Sequence, residues 1–188
     1  MKVSTILGSP HVDGNTGTVL GRFEGMLEDS GHEFDRINII DHEVMGCMGC
    51  YTCRDTPDAP GCIQVDDGNA IFERLIAADA VVYATPLYCW GFSAQLKALI
   101  DRHICLKTGD QADGRTSLME GKPVLLLVTS AGPEEENADV IQTSFERLCR
   151  FLALDCHGKF VVARCVDPGC ASERAGEFAA RMLEALAP

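Results

Sequence analysis

The chain has 188 residues, of which 46% are apolar, and this is enough for one domain with a substantial buried core. Its 16 basic and 28 acidic residues give a net charge of −12, which disfavours nonspecific binding to nucleic acid or to an anionic membrane. Ten cysteines are too few for a disulfide scaffold, and no apolar run reaches the length of a membrane helix. The residues Met1–Leu7 do not form a signal-peptide pattern, so we expect a cytoplasmic protein whose thiols are reduced, metal-bound or redox-active.

Apolar patterning along the chain predicts five strands that alternate with five helices. The predicted strands are Lys2–Leu7, Glu33–Ile40, Ala80–Thr85, Pro123–Thr129 and Lys159–Ala163. The predicted helices are Asn15–Ser30, Asp67–Ala77, Ser93–Ile100, Asn137–Leu152 and Glu173–Leu186. This alternation indicates an α/β fold in which helices cover both faces of a parallel sheet, within a single domain spanning residues 1–188.

Two predicted loops, Asp41–Asp66 and Leu106–Lys122, are longer than most connections in compact domains. In a sheet of this kind, ligands bind beyond the carboxyl ends of the strands, where the strand order reverses. We therefore expect a binding site formed by the loops after the first, third and fourth strands.

The loop after the first strand, Gly8 to Gly17, is small, rich in hydroxyl groups and leads directly into a helix. The N–H groups at a helix start, together with the side chains of Ser9, Asn15 and Thr16, predict an anion site that needs no cationic partner. The loop matches neither the Walker A sequence nor the G-x-G-x-x-G motif, which disfavours nucleoside triphosphates and Rossmann dinucleotides. A strand–helix turn without a ligand is the alternative interpretation.

Three segments together resemble the NADPH-dependent FMN reductase family, whose fold is flavodoxin-like. They are Gly8-Ser9-Pro10 with Gly14-Asn15-Thr16, Thr85-Pro86-Leu87-Tyr88, and Ser93-Ala94-Gln95-Leu96-Lys97 with Ile100-Asp101-Arg102. The resemblance implies a doubly wound sheet of five parallel strands in the order 2-1-3-4-5, with FMN at the point where this order reverses. The sequence departs from the family at His11, where arginine is frequent.

The resemblance also implies which residues contact FMN. The phosphate is assigned to the first loop, and the flavin ring to the loops after the third and fourth strands. The cofactor-binding residues are then Ser9, His11, Gly14, Asn15, Thr16, Pro86, Leu87, Tyr88, Cys89, Trp90, Gly91, Ser130, Ala131 and Gly132. The alternatives are that Tyr88 and Trp90 are ordinary packed aromatics and that Cys89 is a small buried apolar residue.

Four cysteines in the spacing C-x2-C-x2-C-x8-C form the clearest metal-binding pattern: Cys47, Cys50, Cys53 and Cys62. Three thiolates at this spacing can converge on one cluster, and a fourth cysteine nearby completes the ligand set. The pattern resembles that of the iron–sulfur flavoprotein branch of the same family, which holds a 4Fe–4S cluster, although the last gap is longer here. A structural zinc site is one alternative, and reduced thiols or a local disulfide are another.

The remaining cysteines and histidines show no ligand spacing. We expect Cys149 to lie in the core, and His32, His42, His103 and His157 to occupy surface or capping positions.

These features predict an FMN-dependent oxidoreductase whose chemistry is carried out by the flavin, without an identified catalytic side chain. Electrons would pass from NAD(P)H or a ferredoxin-like donor to a small-molecule acceptor. A 4Fe–4S cluster would take part if the loop Asp41–Asp66, which we call the cysteine loop, holds one. The alternatives are a cluster-free NAD(P)H-dependent FMN or quinone reductase, and a non-catalytic flavin redox sensor or electron carrier. The family also implies a homodimer or homotetramer, and no nucleic-acid or membrane partner is expected.

Overall fold

A computed structural model of the chain describes residues 1–56, 58–108, 114 and 116–187. In this part of the chain the strands are β1 (Lys2–Leu7), β2 (Glu33–Asn38), β3 (Ala80–Pro86), β4 (Lys107–Thr108), β5 (Thr116–Ser117), β6 (Pro123–Thr129) and β7 (Asp155–Val162). The main sheet contains five parallel strands in the order β2-β1-β3-β6-β7. This order confirms the predicted sheet, because β6 and β7 are the fourth and fifth predicted strands.

The α-helices of the described residues are α1 (Asn15–Asp29), α2 (Gly68–Ala77), α3 (Ala94–Asp101), α4 (Asp139–Leu152) and α5 (Ser172–Leu186). Short 3-10 turns lie at Ile39–Asp41, Thr52–Asp55 and His103–Leu106. No helix in the described ranges is long and apolar enough to cross a membrane.

Alternate side chains of the sheet build two separate core layers. In the central strand β3, Ala80, Val82 and Ala84 face the layer that contains the apolar side chains of α1 and α5. Val81 and Tyr83 face the opposite layer, with α2, α3 and α4. Because both faces of β3 are covered, its sequence is a continuous apolar run rather than an alternating one.

Several element boundaries differ from those expected. Strand β7 begins at Asp155, four residues before the predicted start at Lys159, and its first residues are exposed or half-buried, so they carry no apolar signal. Helix α4 begins at Asp139 instead of Asn137. The long predicted loop Leu106–Lys122 contains the antiparallel pair β4–β5, which is too short to show periodicity, and residues 109–113 and 115 of that loop lie outside the described residues.

His103 lies in the core, so the expectation of a surface position is wrong for this residue, whereas a capping role is confirmed because its ring bonds to a carbonyl in the last turn of α3. Its Nε2 atom is 2.9 Å from the Tyr83 hydroxyl, and its Nδ1 atom is 3.0 Å from the carbonyl oxygen of Leu99. Burial lowers the pKa of His103 to about 4. A neutral ring that donates to Leu99 and accepts from Tyr83 satisfies both nitrogens. The prediction for Cys149 is confirmed, because this residue is buried in the same layer.

Candidate functional site

The loop between β1 and α1 forms a compact turn at the carboxyl end of the sheet. The Ser9 hydroxyl accepts a hydrogen bond from the His11 N–H (3.1 Å) and donates one to the His11 carbonyl (3.0 Å), and the Gly14 N–H also donates to that carbonyl (3.1 Å). No side chain caps the start of α1, and its first turn contains no acidic residue. An anion beside this helix start would therefore meet free N–H groups, although Asp13 of the same loop also lines the cavity that opens here.

Glycine is required at Gly17, in the first turn of α1. A Cβ atom at this position would lie 1.8 Å from the carbonyl oxygen of Val12, because the loop folds back against the helix. The backbone at Val12 therefore packs directly against the backbone of α1 at Gly17. Thr16, just before it, is buried, and its hydroxyl lies 2.6 Å from that of Thr129 at the end of β6. The loop is thus tied to a neighbouring strand end.

A cavity of about 760 Å³ opens at this edge of the sheet, and we call it the strand-end cavity. Its size lies in the range of cofactor pockets. The predicted site residues that line it are Ser9, His11, Gly14, Asn15, Thr16, Pro86, Leu87, Tyr88 and Ala131. Among its described lining residues there is no lysine or arginine. The donor set consists of backbone N–H groups and small polar side chains, which suits a phosphate, and the β3 end supplies apolar surface, which suits a flavin ring.

The other predicted flavin contacts lie outside the lining of the strand-end cavity: Cys89, Trp90, Gly91, Ser130 and Gly132. Ser130 is buried, and its hydroxyl donates to the carbonyl of Gly132 (3.0 Å). The assignment of these five residues to FMN, like that of the nine that line the cavity, stays a prediction.

Cys89 and Trp90 form a tight turn directly beside the strand-end cavity. Both have positive φ angles, 47° and 61°, while Tyr88 and Gly91 exchange two backbone hydrogen bonds across the turn. This backbone conformation is unfavourable for residues other than glycine and is often found at ligand sites. Tyr88 and Trp90 are 46% and 58% exposed, so the alternative that they are ordinary core aromatics is wrong. Cys89 is also exposed and not a buried apolar residue.

The loop between β7 and α5 forms one wall of the strand-end cavity, and the sequence did not predict this loop as part of the site. Cys165, Val166 and Pro168 of this loop line the cavity, and Cys165 is joined to Cys170 by a disulfide bond. The Asn15 side chain holds the loop: it donates to the Asp167 carbonyl (3.0 Å) and accepts from the Gly169 N–H (3.0 Å). Helices α1 and α5 pack against each other on one sheet face, which brings this loop to the start of α1.

A second cavity, of about 240 Å³, brings together all four cysteines of the predicted metal motif, and we call it the cysteine cavity. A fifth cysteine, Cys105, lines it from the 3-10 turn that follows α3. Cys53 and Cys105 are buried, whereas Cys47 and Cys50 are exposed. Within the residues that the structure describes, no three His, Cys, Asp or Glu side chains are already arranged to hold a metal ion. The cysteines are of the ligand type that iron–sulfur clusters use and share one cavity, but in the described residues their side chains are not gathered around one point.

The thiols of the cysteine cavity differ in acidity. Hydrogen bonding from the backbone and the side chain of Thr52 lowers the pKa of Cys50. Burial, together with the neighbouring thiols, raises the pKa of Cys53 and brings that of Cys105 to about 12. Since metals bind the thiolate form, Cys50 is a better metal ligand than the buried thiols of Cys53 and Cys105.

A buried ion pair joins the two ends of the cysteine loop. Asp66 accepts hydrogen bonds from the N–H of Met45 (2.8 Å), from the N–H of Gly68 (3.0 Å) and from Nη1 of Arg102 (2.5 and 2.7 Å). Both charged side chains are fully buried. Burial disfavours the Asp66 carboxylate, but these hydrogen bonds outweigh it and hold the pKa of Asp66 below its usual value. The loop therefore depends on this pair for its closure.

Comparison with known proteins identifies the family. The family model for NADPH-dependent FMN reductase matches residues 1–144. The chain belongs to this family. Membership in the NADPH-dependent FMN reductase family confirms the resemblance seen in the sequence.

Two relatives resemble this chain over more than half of its length. An iron–sulfur flavoprotein of Methanosarcina thermophila is 36% identical over 107 residues, which cover 57% of this chain and 54% of that protein. An FMN-dependent NADH:quinone oxidoreductase of Methylocella silvestris is 30% identical over 138 residues, which cover 69% of this chain and 66% of that protein. The chain thus spans about half the length of the iron–sulfur flavoprotein that it matches.

The fold is shared with solved structures of similar size. An NAD(P)H:quinone oxidoreductase from Methanothermobacter marburgensis superposes with a TM-score of 0.74 at 20% sequence identity, covering 98% of this chain and 96% of the other. At this level of identity the similarity concerns the fold alone, and it confirms the flavodoxin-like arrangement of the FMN reductase family member described here.

Proposed function

We propose that this chain binds FMN in the strand-end cavity and acts as an oxidoreductase that passes electrons from NAD(P)H to a small-molecule acceptor of the quinone type. The observation that carries the proposal is the cavity itself. It joins an uncapped helix start, suited to a phosphate, with the apolar end of β3, suited to a flavin, in a member of the NADPH-dependent FMN reductase family. When bound, FMN supplies the capacity to accept and donate one or two electrons.

The residues of the chain bind and orient the cofactor in this proposal. The N–H groups at the start of α1, with Ser9 and Thr16, hold the phosphate, while Pro86, Leu87 and Tyr88 form the surface against which the ring lies. The turn at Cys89 and Trp90 and the backbone at Ser130 to Gly132 border the ring, as the family resemblance implies. No side chain is assigned to proton transfer.

The test compares FMN with riboflavin, which has the same ring but no phosphate. We expect FMN to bind at least about tenfold more tightly, since charge-assisted hydrogen bonds contribute roughly 1.5–3 kcal/mol each and about 1.4 kcal/mol corresponds to a factor of ten. Quenching of flavin fluorescence measures both affinities, and the emission of Trp90 reports whether the ring lies near the turn. Equal affinities would contradict the phosphate assignment.

Steady-state oxidation of NAD(P)H by the FMN-loaded protein, with and without a quinone, tests the catalytic part. We expect acceptor-dependent turnover. FMN binding without turnover, together with an oxidation-dependent change in oligomeric state, would instead support the redox sensor. Sedimentation of the FMN-loaded protein tests the proposed homodimer or homotetramer.

We further propose that the cysteine cavity holds a 4Fe–4S cluster, with Cys47, Cys50, Cys53 and Cys62 as ligands. The enclosure of these cysteines in one cavity supports this proposal, as does the similarity to an iron–sulfur flavoprotein. When bound, the cluster supplies one-electron transfer, which suits a ferredoxin-like donor. Iron and acid-labile sulfide measured on anaerobically purified protein test it. Zinc without sulfide indicates the structural zinc site, and the absence of all three indicates the cluster-free reductase.

A further inference from the structure

Arg102 has an unusual position, because its charged side chain lies in the protein interior and lines the cysteine cavity. The residue is only 1% exposed and follows directly after α3. An arginine keeps its charge in proteins and carries five N–H donors. Buried donors are normally all hydrogen-bonded, so the partners of this guanidinium can be followed one by one.

Only one of the three guanidinium nitrogens has hydrogen-bond partners among the described residues. Nη1 donates to both carboxylate oxygens of Asp66 and lies 3.4 Å from the carbonyl oxygen of Met45. Nε and Nη2 are buried and have no oxygen or nitrogen partner in the described part of the chain. The Asp66 carboxylate is already occupied, since it also accepts from the N–H groups of Met45 and Gly68.

The guanidinium is held in this position by backbone packing. A Cβ atom at Gly68 would lie 2.5 Å from Cζ, Nη1 and Nη2 of Arg102, so the start of α2 packs directly against the guanidinium. Cys62 lies beside it in the cysteine cavity. Burial lowers the pKa of Arg102, but the hydrogen bonds to Asp66, together with the Cys62 sulfur, outweigh burial and keep that pKa above its usual value. Arg102 thus brings two buried donors without an oxygen or nitrogen partner among the described residues to the wall of the cavity that the four cysteines share.

We propose that Arg102 donates its Nε–H and Nη2–H groups to sulfur atoms of an iron–sulfur cluster in the cysteine cavity and thereby raises the reduction potential of that cluster. The inference rests on the proposed cluster. A cluster with thiolate ligands gains negative charge on reduction, and a fixed cation that donates hydrogen bonds to its sulfurs stabilises the reduced form more than the oxidised form. Arg102 is therefore a positioning and tuning residue.

The test uses variants that separate this role from the closure of the loop. Arg102→Lys keeps a cation for Asp66 but lacks the two guanidinium donors. The double variant Arg102→Met with Asp66→Asn removes both charges, because a single change would leave a buried carboxylate without its partner. Lys97→Met is the matched control, since it removes one positive charge from an exposed position of α3. Redox titration followed by electron paramagnetic resonance gives the midpoint potential, and iron and sulfide per chain give cluster content.

We expect the potential to shift to more negative values in Arg102→Lys and in the double variant, and to stay unchanged in Lys97→Met. FMN binding shows that each variant is folded, because Arg102 does not line the strand-end cavity. A wild-type potential in Arg102→Lys overturns the inference, since the residue then acts only through Asp66. A wild-type protein without iron and sulfide overturns both this inference and the proposed cluster. The proposed oxidoreductase activity is tested separately, by FMN-dependent turnover of NAD(P)H.

Discussion

The two cavities of the molecule are built in different ways. The strand-end cavity is walled by loops that follow β1, β3, β6 and β7, so its position is determined by the sheet. The cysteine cavity lies where the long loop before α2 folds onto the turn after α3, and a single buried ion pair, Asp66 with Arg102, joins the ends of that loop. The first site is a property of the fold, whereas the second depends on a few polar contacts. We therefore expect graded effects of mutation in the first and all-or-none effects in the second.

The largest effect of mutation is expected in the cysteine cavity, at Cys62 and Cys105. Either of these two cysteines could be the fourth ligand of the proposed cluster. Cys62→Ser should lose most of the iron and sulfide, because Cys62 belongs to the same loop as the other three ligands. Cys105→Ser should keep them, because burial gives this thiol a pKa of about 12 and disfavours the thiolate that a metal requires. Metal and sulfide analysis of the two variants measures the difference. The reverse result would make Cys105 the fourth ligand.

The next effect is the pH dependence of stability that arises from His103. This buried residue begins the 3-10 turn that also contains Cys105 of the cysteine cavity. A histidine has a pKa near 6.5 in the unfolded chain and one of about 4 here, so the unfolded state takes up the proton first as the pH falls. Stability from the neutral ring is complete above pH 6.5 and is lost progressively toward pH 4. The loss should reach about 3 kcal/mol between pH 7 and pH 4.

Urea unfolding across this pH range measures the effect of His103. We expect His103→Gln to flatten the pH dependence, whereas His32→Gln, outside the core, should leave it as in the wild type. Equal slopes in all three proteins would contradict a neutral, buried His103.

The sequence predicted part of each cavity, for different physical reasons. Ser9, Thr16 and Tyr88 were identified because loops at the ends of parallel strands must meet at one edge. Arg102 and Cys105 were not assigned to a site, since their position depends on how α3 packs against the cysteine loop, which spacing does not reveal.

Other differences have the same origin in tertiary packing. His103 carries no local pattern that distinguishes a buried histidine from an exposed one. The loop between β7 and α5 reaches the strand-end cavity only because α1 and α5 share a sheet face. The positive φ angles of Cys89 and Trp90 also could not be predicted, because neither residue type is typical of such a turn.

A smaller effect is expected from two glycines of α1, and it tests whether the strand-end cavity responds gradually. Gly17→Ala forces the new methyl group against the Val12 carbonyl and should cost about 1–3 kcal/mol of stability while weakening FMN binding. Gly25→Ala in the same helix meets no atom within 4 Å and should add about 0.5–1 kcal/mol, because alanine restricts the unfolded chain. Thermal unfolding and flavin fluorescence measure both. Equal effects of the two changes would contradict the close approach at Gly17.

The smallest effect concerns Ser93, which lies between the two cavities. Its hydroxyl donates to the carbonyl of Gly8 in the first loop and accepts from the N–H of Leu96, so it caps α3. Ser93→Ala should cost about 1–2 kcal/mol, since a helix cap is lost and a buried carbonyl loses its donor. Ser144→Ala on the exposed side of α4 is the control and should change stability by less than about 0.5 kcal/mol.

The response of the two cavities to Ser93→Ala decides how independent they are. Gly8 belongs to the loop of the strand-end cavity, whereas Arg102 follows the opposite end of α3. If the cavities are built separately, FMN affinity should fall while iron, sulfide and their potential stay as in the wild type. A change in both the FMN affinity and the midpoint potential would show that α3 couples the two cavities. The Arg102 guanidinium is packed against Gly68, so we expect it to move only if the carboxyl-terminal end of α3 moves.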